Sequence, residues 1–297
     1  MIGRFAPSPT GPLHFGSLVA ALASYLEVKS IKNSQGLWLV RMEDLDKPRE
    51  TKGAADDILR TLEAFGFAWD GAIMYQSQRT EAYEDALEKL KANTYSCTCS
   101  RREIADSALQ GIDGLIYSGI CRAKANLNIN QQHAIRIKVL DRNISFNDAI
   151  QGNISQNLAR DIGDFVLKRA DNIFAYQLAA VVDDDAQAVT HIVRGADLLN
   201  STPRQIYLQQ LLGYAQTDYM HLPIAINSQG EKLSKQTLAK PIVAKNAPEL
   251  IVKALQFLGQ SPPHQLLSSS IDEIFAWAKL NWQGALVPKT NSLGSDC

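Results

Sequence analysis

Residues 1–17 read Met1-Ile2-Gly3-Arg4-Phe5-Ala6-Pro7-Ser8-Pro9-Thr10-Gly11-Pro12-Leu13-His14-Phe15-Gly16-Ser17, and the order of residue types here decides the fold. A short apolar run, Ile2 to Ala6, is stopped by prolines and a glycine, and helical patterning starts at about Phe15. That order is strand, turn, helix. Such a turn brings backbone N–H groups and the positive end of a helix dipole to the carboxyl end of a strand, where they suit a phosphate chain. His14 can donate to phosphate oxygens, and Gly16 has no Cβ to hold a flat base or ribose off the backbone. The same residues also suit a proline-rich connector, because no Walker-type or dinucleotide glycine pattern is present.

Outward from this stretch, Leu18, Leu22 and Leu26, with Val19 and Ala23, recur at helical spacing, and Leu37 to Met42 reads as a buried strand. A strand–helix–strand unit of this length predicts a parallel sheet. Glu43, Asp44 and Asp46 follow the second strand, where carboxylates face the same crevice as the first turn. Helices are expected over Thr51–Gly66 and Glu81–Lys91. From Tyr95 to about Asn130 periodicity fades and cysteines and glycines accumulate, which suggests a subdomain inserted between two halves of the sheet. Within it, Cys97, Cys99 and Cys121 can assemble a tetrahedral metal site, with Tyr117, Asp113, His133 and Cys297 as candidate fourth ligands. Three reduced structural cysteines fit the same spacing.

Beyond the insertion, Ala134–Val139 alternates as a strand, with Ile144–Phe146 expected to pair with it. Apolar patterning resumes over Phe165–Lys168 and Ile173–Val182. Val189–Val193 reads as a core strand ending in Arg194, and Ser201-Thr202-Pro203 opens a helix that continues through Ile206–Tyr214. Asp183, Asp184 and Asp185 read as a solvated turn rather than a metal site. After a strand around Leu222–Ile226, a turn carries Lys232 and Lys235, two ammonium groups that can reach one anion.

With 297 residues, 45% of them apolar and 21% charged, the chain reads as globular. A net charge of −1 means that any nucleic acid must meet a local basic patch. No apolar run of about eighteen residues and no leader pattern occur, which places the chain in the cytosol without a membrane partner. Its four cysteines are expected to be reduced or metal-bound.

Taken together, the opening stretch and the lysine turn resemble the class I aminoacyl-tRNA synthetases. Their two signatures, written HIGH and KMSKS, are matched by His14-Phe15-Gly16-Ser17 and Lys232-Leu233-Ser234-Lys235-Gln236. Arg4-Phe5-Ala6-Pro7-Ser8-Pro9-Thr10-Gly11 and Arg41-Met42-Glu43-Asp44-Leu45-Asp46 resemble the glutamyl branch. A short tail after Lys240 and Gln236 in the last signature place resemble its shortened paralogues, which lack an anticodon-binding region.

The resemblance implies an α/β fold: a Rossmann-like parallel sheet with an inserted zinc-containing subdomain and a short helical carboxyl-terminal region. The expected units are residues 1–94 and 166–226 for the two halves of the catalytic domain, 95–165 for the insertion and 227–297 for the signature loop and tail. It further implies an ATP-dependent ligase that activates L-glutamate and transfers it to the queuosine base of tRNA(Asp); apart from the resemblance, a monomer is expected. The other readings are a compact synthetase charging a tRNA 3′ end and a non-catalytic RNA-binding paralogue. By the same resemblance, His14, Lys232 and Lys235 stabilise charge on the reacting phosphates, with Gly16 against the adenosine and magnesium arriving with ATP. Arg4, Phe5, Ala6, Pro7, Ser8, Glu43, Tyr176 and Arg194 bind glutamate. Cys97, Cys99, Tyr117 and Cys121 hold one structural zinc.

Overall fold

The computed structural model describes residues 1–30, 35–123, 132–227, 229–233 and 240–294. The first half runs β1 (Ile2–Phe5), α1 (Phe15–Lys29), β2 (Leu37–Met42), α2 (Ala54–Ala64), β3 (Met74–Tyr75) and α3 (Thr80–Lys89). β4 (Thr94–Cys97), α4 (Arg101–Ser107), β5 (Leu109–Gly111), β6 (Gly114–Ile116) and β7 (Ala134–Ile137) follow, then β8 (Asn143–Asp148), β9 (Gly152–Asn157), α5 (Leu158–Asp161) and β10 (Val166–Lys168). The chain continues through α6 (Tyr176–Ala186), β11 (His191–Gly195), α7 (Thr202–Leu212), β12 (Asp218–Leu222), β13 (Ile224–Ile226), α8 (Ala247–Phe257), α9 (Ile271–Asn281) and β14 (Ser292–Gly294).

Among the described residues the main sheet has the order β3-β2-β1-β11-β12-β8-β9, parallel throughout except for the β8–β9 hairpin. β1 pairs with β2 from Ile2↔Leu37 to Phe5↔Val40 and on its other edge with β11 at Gly3↔His191. The first half of the sheet therefore grows away from β1 in one direction and the second half in the other. Crevices for ligands open at the carboxyl ends of strands where such a reversal occurs.

α1 covers this junction because Leu18, Leu22 and Leu26 are fully buried and shared with a core that includes Trp38, Ile251 and Leu255. Trp38 stacks on Phe67, meets Tyr25 edge-on at 5.1 Å between ring centroids, and donates from its indole N–H to Ser24 Oγ at 2.9 Å. The return from α1 to β2 requires Gly36, since a Cβ there would stand 1.9 Å from the Val28 carbonyl oxygen.

β4, β7 and β10 form a separate antiparallel sheet in the order β10-β7-β4, and β5 and β6 form a hairpin beside it. Two expectations change here. Ile144–Phe146 does not pair with Ala134–Val139; it lies in β8, which joins the main sheet through Tyr219↔Asp148 and turns back into β9. The strict alternation of β8, with Ile144, Phe146 and Asp148 buried, gives it one face for the main core, while β7 finds its partners in β4 and β10. Asp183–Asp185 is not a solvated turn either. It belongs to α6, and Asp183 and Asp184 are 0% and 3% exposed, held inside by the cations described below.

Candidate active site

A cleft of about 660 Å³ opens at the carboxyl ends of β1, β2, β11 and β12. Arg4, Phe5, Ala6, Pro7, Ser8, His14, Gly16, Glu43, Tyr176, Arg194 and Lys232 all line it. Lys235 lies outside the described residues.

His14 caps α1. Its ring Nδ1 accepts the Ser17 N–H at 3.3 Å, so in the neutral ring Nε2 carries the proton and is the donor. Gly16 sits against that ring, and a Cβ there would be 3.2 Å from His14 Cε1 and 3.7 Å from the Leu233 carbonyl oxygen. The opening stretch and the lysine turn are thus adjacent in space. Further along, Ile242 donates its N–H to the Leu13 carbonyl at 3.0 Å, and His14 bridges to Pro241. Lys232 donates to the Asp197 carboxylate across the cleft. A helix N-terminus, an imidazole donor and an ammonium converging on one space can stabilise a polyanion that gains charge during reaction.

The opposite wall is built by buried charges. Arg4 Nε donates to Asp184 Oδ1 at 2.9 Å, and Arg41 Nη1 meets the same oxygen at 2.8 Å. Burial pushes the Asp184 carboxyl up, but Arg4 and Arg41 outweigh it and hold the group below the usual carboxylate range. Asp183, one residue earlier, accepts from Gln76, Arg79 and the Tyr83 hydroxyl at 2.7 to 2.9 Å. From α6, Asp184 therefore ties β1 to β2, and Asp183 holds the segment 76–83 that enters α3. Glu43 stands apart: its side chain is 10% exposed, Arg41 Nη2 approaches no closer than 3.7 Å, and Oε1 is buried without a hydrogen bond. Burial raises its pKa to about 7, against the opposing pull of Arg41 and Arg4.

Arg194, at the end of β11, is 5% exposed and differs from Arg4 in its partners. Nε donates to His221 Nε2 at 3.1 Å, Nη1 to the Tyr176 hydroxyl at 3.2 Å, and Nη2 to Thr202 Oγ1 at 2.9 Å and Gln205 Oε1 at 2.8 Å, with the Leu198 carbonyl at 3.4 Å. Every one of these acceptors is neutral. Buried guanidinium groups are normally paired with an anion, so this one can take its counter-charge from a ligand in the cleft.

Away from the cleft, the sulfurs of Cys97, Cys99 and Cys121 lie within 4.8 Å of one another. The Tyr117 oxygen is 3.4 Å from the sulfurs of both Cys97 and Cys99. Of the other candidate fourth ligands, Asp113 is bonded to Arg204, His133 falls outside the cluster, and Cys297 lies outside the described residues. Burial raises the Cys99 thiol to about 11; for Cys121 the hydrogen bonds from Tyr117 and the Thr98 backbone prevail over burial and bring it to about 7. Three sulfurs this close can hold a metal ion.

Arg41, Asp183, Asp184, Asp148 and His221 were not singled out as site residues by the sequence. For the aspartates a signal exists: the apolar period of Leu178 to Val182 runs straight into them, and Arg4 and Arg41 on buried strands require anions. His221 and Asp148 carry no comparable pattern.

The family profile for tRNA synthetases class I (E and Q), catalytic domain, matches residues 1–280. The glutamyl-Q tRNA(Asp) synthetase of Dechloromonas aromatica (strain RCB) is 55% identical over 291 residues, spanning 97% of this chain and 95% of that protein. The protein of the same name from Chromobacterium violaceum is 54% identical over 288 residues, with 96% and 95% covered. The crystal structure of glutamate-tRNA synthetase from Elizabethkingia anophelis superposes with a TM-score of 0.81 at 25% identity, over 98% of this chain and 67% of that one.

Proposed function

Because the chain belongs to the class I tRNA synthetases of the E and Q type, we propose that its cleft activates L-glutamate with ATP and passes the glutamyl group to the queuosine base of tRNA(Asp). The observation that carries the amino-acid assignment is Arg194, a buried guanidinium whose acceptors are all neutral and whose face is open to the cleft. A side-chain carboxylate supplies the missing charge and an amide does not. Arg4, Phe5, Ala6, Pro7 and Ser8 line the same space, Tyr176 fixes one edge of Arg194, and ionised Glu43 receives the α-ammonium group.

In the first step an α-carboxylate oxygen attacks the α-phosphorus of ATP, which enters as its magnesium complex. A carbon-oxygen-phosphorus link forms, the bridge to the β-phosphate breaks, and pyrophosphate leaves with the electron pair. Negative charge grows on the non-bridging oxygens and on pyrophosphate. His14 Nε2–H, the N-terminus of α1 and Lys232 are placed to stabilise it, Gly16 leaves room for the adenosine, and the signature match gives Lys235 the same task as Lys232. Lys232 must exchange Asp197 for phosphate, which makes the lysine turn a responsive part of the cleft. In the second step a hydroxyl of queuosine attacks the activated carbonyl, forming an ester and releasing AMP.

Cys97, Cys99, Cys121 and the Tyr117 oxygen would hold zinc. In a tetrahedral site with zinc–sulfur bonds of about 2.3 Å, sulfurs sit about 3.8 Å apart, and a bound oxygen sits about 3.5 Å from each. The 3.4 Å separation of the Cys99 and Cys121 sulfurs and the 3.4 Å approaches of the Tyr117 oxygen support that assignment. The metal would tie β4 to the segment after β6, which has only a small core of its own.

The test is transfer of labelled glutamate to tRNA(Asp) with and without queuosine, beside tRNA(Glu). Labelling confined to queuosine-containing tRNA(Asp) is expected. Labelling of tRNA(Glu) that disappears when its 3′-terminal diol is oxidised would replace this reading with acceptor-end charging.

A further inference from the structure

Behind Arg194, on the side away from the cleft, two buried groups have no part in the steps above. His221, in β12, is 0% exposed, and its Nδ1 lies 2.6 Å from Asp148 Oδ2 at the end of β8. Its other nitrogen, Nε2, receives the Arg194 Nε–H at 3.1 Å and lies 3.1 Å from the Thr202 hydroxyl, which as a donor would meet the same lone pair. An arginine cannot accept a hydrogen bond, so Nε2 must carry the lone pair and Nδ1 the proton. Asp148 enforces that choice because a carboxylate can only accept from Nδ1.

Asp148 is itself held firmly. Oδ1 accepts the backbone N–H groups of Ile150 at 3.0 Å and Gln151 at 2.9 Å, and the His221 N–H reaches both oxygens at 3.2 Å. Burial pushes the Asp148 carboxyl up, but the His221 side chain and the Gln151 and Ile150 N–H groups outweigh it and keep the carboxyl below the usual range; burial, aided by Arg194 and opposed by Asp148, lowers the His221 pKa. His221 thus stays neutral between a carboxylate and a guanidinium.

We propose that Asp148 and His221 are positioning residues for substrate recognition: Asp148 fixes the His221 tautomer, and neutral His221 aims Arg194 at the cleft without cancelling its charge. The inference rests on the reading of Arg194 as the group that binds the substrate carboxylate. A direct contact between Asp148 and Arg194 would satisfy the guanidinium inside the protein, as Asp184 does for Arg4. Inserting an imidazole keeps the anion one residue back, where it offsets the buried positive charge while leaving Arg194 to bind its ligand. The device sets which substrate is held, and it touches none of the reacting atoms.

Asp148→Asn makes the test specific. The amide oxygen takes over the backbone N–H groups of Ile150 and Gln151, which leaves the amide NH2 facing His221 Nδ1. The imidazole then moves its proton to Nε2, where it can donate to Thr202 Oγ1 but no longer accepts the Arg194 Nε–H. The expected result is a glutamate KM raised about 10- to 100-fold in ATP–pyrophosphate exchange, with the ATP KM within about twofold of wild type. His221→Gln, whose amide oxygen can still accept from Arg194, should recover much of the loss seen in His221→Phe. Nitrogen-15 spectra of the wild-type protein should show His221 protonated on Nδ1, and protonation on Nε2 would overturn the proposal whether or not any variant folds. Equal loss of glutamate and ATP binding in Asp148→Asn, or His221→Gln no better than His221→Phe, would reduce both residues to a structural role. Arg194→Ala serves as the separating control. If it leaves the glutamate KM unchanged, the reading of Arg194 fails; if it raises KM while Asp148→Asn does not, only the inference fails.

Discussion

Replacing Glu43 with Gln removes the one carboxylate among the described residues of the cleft wall that no cation approaches within about 3.5 Å. Its pKa of about 7, raised from the ordinary 4.5 by burial, has two consequences of known sign. The folded protein binds this proton more tightly than the unfolded chain. The associated stability is therefore fully present below about pH 4.5 and is lost as pH rises through about 7, to the extent of about 3 kcal/mol. Ligand binding runs the other way, because an α-ammonium group needs the ionised form. Roughly one molecule in ten is ionised at about pH 6 and nine in ten at about pH 8, so the glutamate Kd should fall about tenfold between them. Titration calorimetry in buffers of different ionisation enthalpy measures both parts: Kd at each pH, and nearly one proton released per glutamate bound at the lower pH. Glu43→Gln should bind about 10- to 100-fold more weakly at about pH 8 and lose the pH dependence. A wild-type Kd that is flat across this range, or a variant that retains the wild-type slope, would refute the assignment.

Other parts of the wall give separate outcomes. Asp184→Asn strips Arg4 and Arg41 of their shared anion and should cost about 3 to 5 kcal/mol in urea unfolding; a cost below about 1 kcal/mol would mean that Asp183 carries the cluster alone. Arg194→Ala should raise the glutamate requirement about 100-fold and spare ATP binding, and equal losses for both ligands would count against its role. Metal analysis should find one zinc per chain, and chelation or Cys97→Ser should expose the β4–β7 region to proteolysis at an unchanged α1 core; purified protein free of metal would end the zinc assignment.

The cleft was legible because its residues sit where strands end. Glu43 and Arg194 each follow an apolar run, Arg4 stands within the first one, and His14 opens a helix, so one-dimensional patterning already points them at a common crevice. The parallel core of β1, α1 and β2 was readable for the same reason. What failed was anything decided by pairing at a distance. Asp183 and Asp184 look like a solvated turn until Arg4, Arg41, Arg79 and Gln76 arrive from three other elements to satisfy them. β8 carries a clean strand alternation that is silent about whether β7 or β12 will be its neighbour. Asp148 and His221 are ordinary residues in sequence and acquire meaning only through the register Tyr219↔Asp148.

β13 lies immediately before the turn that carries Lys232, and its partner is β14, paired in parallel from Ile224↔Ser292 to Ile226↔Gly294. The Ile224 N–H is also bonded to the Asn291 carbonyl at 2.9 Å. The helical tail is therefore a brace as well as a cover. A two-stranded ribbon is marginal on its own, so β13 and β14 depend on each other and on the packing around them. α8 and α9 lie on the stretch of chain between the two strands of this ribbon. The strand that leads into Lys232 is thus held in register by the last described strand of the chain.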